Sequence, residues 1–353
     1  MIPEGFNYIG HLDRHCPCDW RNFEDSPVYP RQLHFYLPTD GEPCNFRCFY
    51  CCGVLSTKKQ VHWENTGLRL IEKLGGDIPF HAYSGAFTEP TLCSRLPEFI
   101  QMTKRYGSNY GLKTNGSMMT RIADTLIDWS DSDEDFVSVS LDAGSAESHS
   151  RTKGVPESVY YDVIKGIKLL TELRGDISYP KIRVSYLLNK FNSSEYEINK
   201  AIEMAVGFGI DSLRFSHYHP PYGAKGKQAS AIWQRAEREN YRFKELFGAM
   251  NINSDTTVFY VEPTKQPRFR KCAYGYYQIT LANDGYVYRC TTAADEIFQE
   301  LRLGQITDDI DEFNSMIMAN QSAEFNPQIC ARLGVYCCRA AVAINSQIED
   351  DNV

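Results

Sequence analysis

Between residues 32 and 216, short apolar runs alternate with segments in which apolar residues recur every three or four positions. The short runs predict β-strands, and the longer periodic segments predict α-helices. The predicted strands are Leu33–Leu37, Phe80–Ser84, Tyr110–Thr114, Phe136–Leu141, Ile182–Leu188 and Ser212–Ser216. The predicted helices cover residues 63–75, 92–106, 118–128, 157–174 and 194–208. Strands that alternate with crossover helices form a parallel α/β sheet.

The number of predicted strands favours a partial (β/α)6 barrel related to the TIM barrel. A three-layer doubly wound sheet is the competing arrangement, because it carries the same alternation of strand and helix. In both folds, ligands collect at the carboxyl ends of the strands. We therefore expect the functional residues in the loops that follow the strands.

The pattern changes in the last third of the chain. Gln278–Leu281 and Tyr286–Cys290 flank Asp284-Gly285, which predicts a tight β-hairpin. The expected segments are an N-terminal extension at 1–30, the barrel at 31–216, a connecting region at 217–270, a small second domain at 271–345 and an acidic tail at 346–353.

The composition is that of a globular chain with an acidic balance. The 353 residues are 42% hydrophobic, and the formal net charge is −8. This balance disfavours nucleic acid as a partner, because such binding rests on Lys and Arg at the phosphates. Residues 217–271 are the exception, with ten Lys and Arg against five Asp and Glu. That stretch is either a solvated face or a region that helps to hold an anionic group.

The sequence gives no sign of a membrane span or of export. It has no run of about 18 apolar residues, and Met1–Gly5 lacks the basic and apolar regions of a signal peptide. We therefore expect a cytoplasmic protein without a membrane partner. Under reducing conditions, its twelve cysteines favour metal ligation or redox chemistry over disulfides.

Three cysteines directly after the first predicted strand indicate an iron–sulfur site. Cys44, Cys48 and Cys51 form a Cys-x3-Cys-x2-Cys loop. Three thiolates can ligate three irons of a [4Fe–4S] cluster and leave the fourth iron open to a small molecule. The alternative is a zinc site, but no second Cys/His pair at zinc spacing follows before Cys93.

This spacing, with the aromatic Tyr50 before the last cysteine, resembles the signature loop of the radical S-adenosylmethionine (radical SAM) superfamily. The resemblance implies a partial barrel, a SAM-binding [4Fe–4S] cluster and S-adenosylmethionine as cofactors. It also implies an electron donor such as flavodoxin or ferredoxin. The implied activity is reductive cleavage of SAM to a 5′-deoxyadenosyl radical, which abstracts hydrogen from a C–H bond.

The same resemblance implies a cofactor pocket at the strand ends. The segment Ser84-Gly85-Ala86-Phe87-Thr88-Glu89 is similar to the Gly-Gly-Glu segment of the superfamily, although Ala86 replaces the second glycine. The candidate cofactor-binding residues are Tyr50, Ser84, Gly85, Glu89, Asn115, Ser140, Asp142, Ser185 and Asn189. Each motif alone also fits a plain turn, and Asp142 also fits a helix N-cap.

A second group of cysteines lies near the predicted hairpin. Cys272-x12-Gly285-x4-Cys290 resembles the opening of the SPASM and twitch domains, which implies an auxiliary [4Fe–4S] cluster. Cys330, Cys337 and Cys338 are the other candidate ligands, and one of the adjacent pair is expected to bind iron. The alternative is a zinc knuckle. Cys16 and Cys18 are expected to be structural rather than ligands.

Cys93 and Cys52 remain. Either thiol near the pocket can return a hydrogen atom to a substrate radical, as in family epimerases, or can simply pack in the core. The expected substrate is a small-molecule or short-peptide precursor of a natural product, oxidised with help from the auxiliary cluster. The alternatives are a peptide maturase that crosslinks or epimerises, and a non-catalytic electron carrier.

Overall fold

The computed structural model describes residues 29–51, 53, 59–220, 226–249, 255–262, 269–270, 272–322, 325–338, 340–342 and 344–345. Cys16, Cys18, Cys52 and the acidic tail lie outside these residues. So does most of the basic stretch between residues 263 and 271.

The strands confirm the predicted alternation. They are β1 Gln32–Phe35, β2 Phe80–Tyr83, β3 Asn109–Thr114, β4 Phe136–Ser140, β5 Lys181–Leu188, β6 Ser212–His217, β7 Thr257–Val261, β8 Gln278–Leu281, β9 Tyr286–Tyr288 and β10 Arg302–Gln305.

The helices are α1 Glu64–Leu74, α2 Leu96–Arg105, α3 Met119–Asp128, α4 Ala146–Lys153, α5 Ser158–Arg174, α6 Glu195–Gly207, α7 Gly226–Ala249, α8 Ile310–Gln321 and α9 Gln328–Leu333. None of the described helices is long and apolar enough to span a membrane.

The sheet has the strand order of an open barrel. Its ten described strands run β10-β9-β8-β1-β2-β3-β4-β5-β6-β7. From β1 to β7 each strand pairs in parallel with the next in sequence. A doubly wound sheet reverses direction within its parallel strands at a switch point, and the order from β1 to β7 contains no reversal. The strands β8 to β10 extend the sheet on the other side of β1. The fold is therefore a parallel α/β partial barrel that does not close.

Successive side chains along each strand point to opposite faces of the sheet. One face packs against the helices in an apolar core, and the other lines a polar lumen. On β1, the fully buried Leu33 and Phe35 share the main core with apolar residues of α1 such as Ile71. Gln32 and His34 point to the opposite face and hydrogen-bond each other at 3.1 Å. The carboxyl ends of the strands thus surround a lumen that is lined by polar groups.

The region after residue 217 differs from the prediction. Residues 217–270, expected to be a connection, contain α7 and the parallel strand β7. The predicted hairpin is present as the antiparallel pair β8–β9, but β8 also pairs in parallel with β1. The expected boundary at residue 271 therefore does not separate two sheets, and the division into domains stays a prediction.

Candidate active site at the carboxyl ends of the strands

The three-cysteine loop lies at the carboxyl end of β1, with all three thiols partly exposed. Cys51 donates from Sγ to the carbonyl oxygen of Ala86 at 2.7 Å, which ties the loop to the segment after β2. Burial raises the pKa of the Cys44 thiol to about 11. Among the described residues, no three His, Cys, Asp or Glu side chains have the spacing for a single metal ion. Three cysteines in one short loop instead fit a cubane [4Fe–4S] cluster, because each cysteine then binds a different iron.

The backbone of the loop is docked on the end of α4. The amide N–H of Arg47 donates to the carbonyl oxygen of Lys153 at 2.9 Å, and that of Phe49 donates to Thr152 at 3.4 Å. Gly154 follows with φ of 64°, and a Cβ at this position would lie 2.6 Å from the Arg47 carbonyl oxygen. Only glycine fits this close approach without strain.

A buried ion pair anchors Tyr50, the aromatic residue of the loop. Lys153 donates from Nζ to Asp142 Oδ2 at 2.6 Å and to the Tyr50 hydroxyl at 2.8 Å. The Tyr50 hydroxyl in turn donates to Asp142 Oδ2. Burial lowers the pKa of Lys153, but the Asp142 carboxylate and the Cys48 and Cys44 thiolates together outweigh this effect, and the net shift is upward. The ammonium and carboxylate therefore form a charged pair beneath the cysteine loop.

Asp142 is fully buried at the end of β4. Its other carboxylate oxygen, Oδ1, accepts from the Leu187 N–H at 2.5 Å. Its φ of 52° lies in the left-handed region, which is uncommon for a residue other than glycine. Both carboxylate oxygens are hydrogen-bonded within the protein, so Asp142 contributes to the site by holding Tyr50 and the end of β5 in place. Direct contact of Asp142 with a cofactor stays a prediction.

Glu89 connects the ends of β2 and β3 with the start of the cysteine loop. Its Oε1 accepts from the Thr114 hydroxyl at 2.5 Å, and its Oε2 accepts from the Asn115 N–H at 2.7 Å. Its own N–H donates to the carbonyl oxygen of Pro43, the residue before Cys44, at 2.7 Å. Burial raises the pKa of Glu89, while the hydrogen bond from Thr114 opposes the shift.

Asn115 reaches the cysteine loop through a side-chain bridge. Its Nδ2 donates to Asn45 Oδ1 at 2.8 Å, and Asn45 donates from Nδ2 to the Ser117 hydroxyl at 2.9 Å. Asn45 lies between the first two cysteines of the loop. The structure thus brings the predicted residues at the ends of β1, β2 and β3 into one network.

The remaining predicted pocket residues lie around the same rim. Ser84 Oγ lies 2.5 Å from His34 Nε2 in the lumen, and Gly85 packs so tightly on Thr88 that a Cβ would lie 2.2 Å from its Cγ2. Ser185 donates to Ser140 across adjacent strands at 3.4 Å. Asn189 instead forms the turn after β5, where its Oδ1 accepts from the Phe191 N–H at 2.9 Å.

Cys93 packs in the main hydrophobic core. It is 2% exposed, and burial raises the pKa of its thiol to about 12. These surroundings favour the packing interpretation over hydrogen donation to a radical.

The five C-terminal cysteines gather beside the β8–β9 hairpin. They pack in two small clusters that share Cys290. Burial raises the pKa of Cys290 well above its usual value, and the neighbouring Cys330, Cys338 and Cys272 thiolates add to the shift. Burial raises the pKa of Cys337 to about 12, with contributions from the same neighbours. The sulfur atoms are therefore within electrostatic reach of one another, although their spacing does not fit a single ion.

Three cationic side chains line the lumen: Lys113 of β3, Arg183 of β5 and Arg214 of β6. Burial lowers the pKa of Lys113 to about 7, with Arg214 and Arg183 adding to the decrease. The Arg183 guanidinium lies 4.2 Å from the Phe136 ring centroid. Such a positive interior favours an anionic ligand. The sequence analysis missed these cations because a single Lys or Arg in a strand has no motif that marks it.

A pocket lies at the other end of the barrel, at the amino ends of the strands. Its lining residues include Lys113, Arg183, Arg31 and Glu134. The cysteine loop lies at the opposite end. We therefore assign the chemistry to the carboxyl rim, where the thiols and the hydrogen-bond network meet.

No family model matches the sequence. The chain is 24% identical over 283 residues to a probable GTP 3′,8-cyclase of Saccharolobus islandicus (strain L.S.2.15 / Lassen #1), covering 76% of this chain and 87% of the relative. It is 26% identical over 282 residues to a probable GTP 3′,8-cyclase of Metallosphaera sedula, covering 76% of this chain and 84% of the relative.

Among solved structures, Streptococcus suis SuiB bound to S-adenosylmethionine matches the fold. The TM-score is 0.59 at 13% identity, and the match covers 90% of this chain and 75% of SuiB. Together with the cysteine loop and the partial barrel, these relatives identify the chain as an enzyme of the radical SAM superfamily.

Proposed function

We propose that Cys44, Cys48 and Cys51 hold a [4Fe–4S] cluster and that S-adenosylmethionine binds at its open iron. The observation that carries the proposal is the position of this sulfur-only loop, at the carboxyl end of β1 and at the mouth of a polar lumen. When bound, the cluster and SAM supply a 5′-deoxyadenosyl radical. The protein then has to position the substrate and exclude water.

The pocket for SAM is proposed along the rim formed by the ends of β2 to β5. Ser84, Gly85, Asn115, Ser140 and Ser185 all lie on that rim. The network through Glu89 and Asn45 joins the rim to the loop, which supports a pocket that is already formed before a ligand enters.

An auxiliary [4Fe–4S] cluster is proposed at the C-terminal cysteines, as in a twitch-like domain. Cys272, Cys290, Cys330, Cys337 and Cys338 offer one thiol more than the four ligands of such a cluster. Burial and the neighbouring thiols raise the pKa values of Cys290 and Cys337, which supports a shared site. Cys337 and Cys338 are adjacent, so we expect one of them to remain outside the ligand set.

The substrate is proposed to be a small anionic molecule or a short acidic peptide, from which hydrogen is abstracted in a net oxidation. Lys113, Arg183 and Arg214 support this choice, because an anionic group would stabilise three cations that share one buried lumen. A biosynthetic precursor of a natural product fits this description, and a flavodoxin or ferredoxin would supply the electrons.

A purine nucleotide is the second candidate substrate. The relatives named as probable GTP 3′,8-cyclases favour it, and the cationic lumen would suit its phosphates equally well. Stimulation of 5′-deoxyadenosine release by GTP would select this candidate, whereas GTP without effect would leave the precursor proposal in place.

The central test is the replacement of Cys44, Cys48 and Cys51 together by Ala. The wild-type protein, reconstituted without oxygen, should hold about eight irons and the variant about four. Because only the open iron binds SAM, the variant should release no 5′-deoxyadenosine when reduced in the presence of SAM. Release by the variant would contradict the proposal, and failure of wild type to release it would indicate an electron carrier.

A further inference from the structure

We propose that Lys153 is a positioning residue for the three-cysteine loop. Its ammonium joins Tyr50 of the loop to Asp142 of β4 and holds the loop in its binding conformation before a cluster is present. This inference rests on the proposed function only in assigning the loop to a cluster. The contacts themselves belong to the protein alone.

The end of α4 holds the loop through both its backbone and one of its side chains. The backbone of Thr152 and Lys153 accepts two N–H groups from the loop, and the side chain of Lys153 reaches the Tyr50 hydroxyl at 2.8 Å. Tyr50 lies between Cys48 and Cys51 in the sequence. Each contact therefore acts on the stretch of chain that carries the last two thiols.

Because the Lys153–Asp142 pair is buried, loss of one of its charges should displace the part of the loop that carries Cys48 and Cys51. The Lys153 and Asp142 side chains are 2% and 0% exposed. In a site that water does not reach, removal of one charge leaves its partner uncompensated, which is costly. Among the described residues, the Asp142 carboxylate then keeps the Tyr50 hydroxyl and the Leu187 N–H as its hydrogen-bond donors. A carboxylate in that state would draw in water or move, and the loop would move with it.

The chain contains a matched control pair at the other end of the same strand. Lys104 Nζ lies 2.9 Å from Asp135 Oδ2, and these side chains are 5% and 0% exposed. Asp135 directly precedes β4, whereas Asp142 follows it. Both pairs join a buried ammonium to a buried carboxylate, and Lys104 also forms an ion pair with the exposed Asp131. Of the two lysines, Lys153 is the one that contacts the cysteine loop.

The experiment compares Lys153→Met with Lys104→Met. Methionine keeps the length of the apolar stem and removes only the ammonium. In the apoprotein, we expect chymotrypsin to cut after Phe49 or Tyr50 about tenfold faster in Lys153→Met, and at the wild-type rate in Lys104→Met. In the reconstituted protein, Lys153→Met should lose iron to a chelator faster than wild type by a similar factor, and Lys104→Met should not.

A second variant separates positioning from general stability. In Lys153→Met/Asp142→Asn the buried charge is gone, so thermal stability should recover toward wild type while the loop stays susceptible to chymotrypsin. If Lys153→Met matches Lys104→Met in cleavage of the loop, the positioning role is wrong. Wild-type protein that binds no iron would contradict the proposed function instead, and the apoprotein cleavage would still decide the role of Lys153.

Discussion

At the scale of single residues, buried carboxylates divide into two kinds. Glu89 and Asp142 are surrounded by donors that hold loops and strand ends together. Asp295 is 1% exposed and has one acceptor bond, from the Ile297 N–H at 3.1 Å, while its Oδ2 has no hydrogen-bond partner in the described part of the chain. Its carboxyl group therefore bears a desolvation cost that few hydrogen bonds offset.

Asp295 predicts a specific pH dependence of stability. Burial raises its pKa from 3.8 to about 7 in the folded protein. The folded state thus keeps a proton that the unfolded state releases, so this contribution to stability is complete below pH 3.8 and is lost as the pH rises through about 7. Asp295→Asn keeps the acceptor for Ile297 and removes the ionisation.

The variant should be more stable than wild type at pH 8 by on the order of 4 kcal/mol, and similar to it at pH 4. Urea unfolding at both pH values measures the difference. A difference in unfolding free energy that is the same at both pH values would show that folding does not raise the pKa of Asp295.

At the scale of elements, the short helix α4 carries more of the site than its sequence reveals. Ser145 caps its first turn by accepting from the Ser148 N–H, and Gly154 ends it in a left-handed conformation. These ends fix where the last residue, Lys153, lies. The helix was missed because residues 146–153 have no apolar period, and its boundaries rest on capping residues alone.

Gly154→Ala should weaken the contact between this helix and the cysteine loop. The new Cβ would lie 2.6 Å from the Arg47 carbonyl oxygen, in addition to the strain of a φ of 64°. We expect a loss of about 2–4 kcal/mol in the unfolding free energy of the apoprotein, measured by denaturant titration.

Gly209→Ala is the matched control for this prediction. Gly209 has the same φ of 64° but nothing within 4 Å of the added Cβ, so only the backbone strain applies. Equal losses of unfolding free energy in the two variants would show that the cysteine loop moves away from the new Cβ at Arg47 without an energetic penalty.

Strands and helices with a strong apolar period were predictable to within a few residues. So was the loop with three cysteines, because its spacing is local in the sequence. Lys153, Lys113 and His34 were not, since each becomes part of the site only when distant elements meet. The strand β7 was missed because it lies in a stretch that reads as a basic connection.

At the scale of the whole molecule, one sheet connects both groups of cysteines. β1 leads into the first group, and β8, hydrogen-bonded to β1, lies beside the second. Tyr36 donates to the carbonyl oxygen of Thr291 at 3.0 Å, which adds a contact between the two regions. The two proposed clusters would therefore be held at a fixed separation.

Cys272→Ala/Cys290→Ala should remove the second cluster and spare the first. About four of about eight irons should remain after reconstitution, and SAM cleavage should persist at least in part without formation of product. Cys272 and Cys290 pack in the small clusters beside the hairpin, whereas Cys44 and Cys48 pack against the main core, which is the reason for this separation. A folded double variant that had lost SAM cleavage would show that the two sites depend on each other.

The pairing of β1 with β8 also sets the order in which the chain can assemble. β1 ends at Phe35, whereas β8 begins at Gln278, so one side of β1 has no partner until most of the polypeptide has left the ribosome. A strand edge left open for that long is a point for mispairing and aggregation. The thiols that follow β1 emerge equally early, and they must remain reduced throughout synthesis until the sheet is complete.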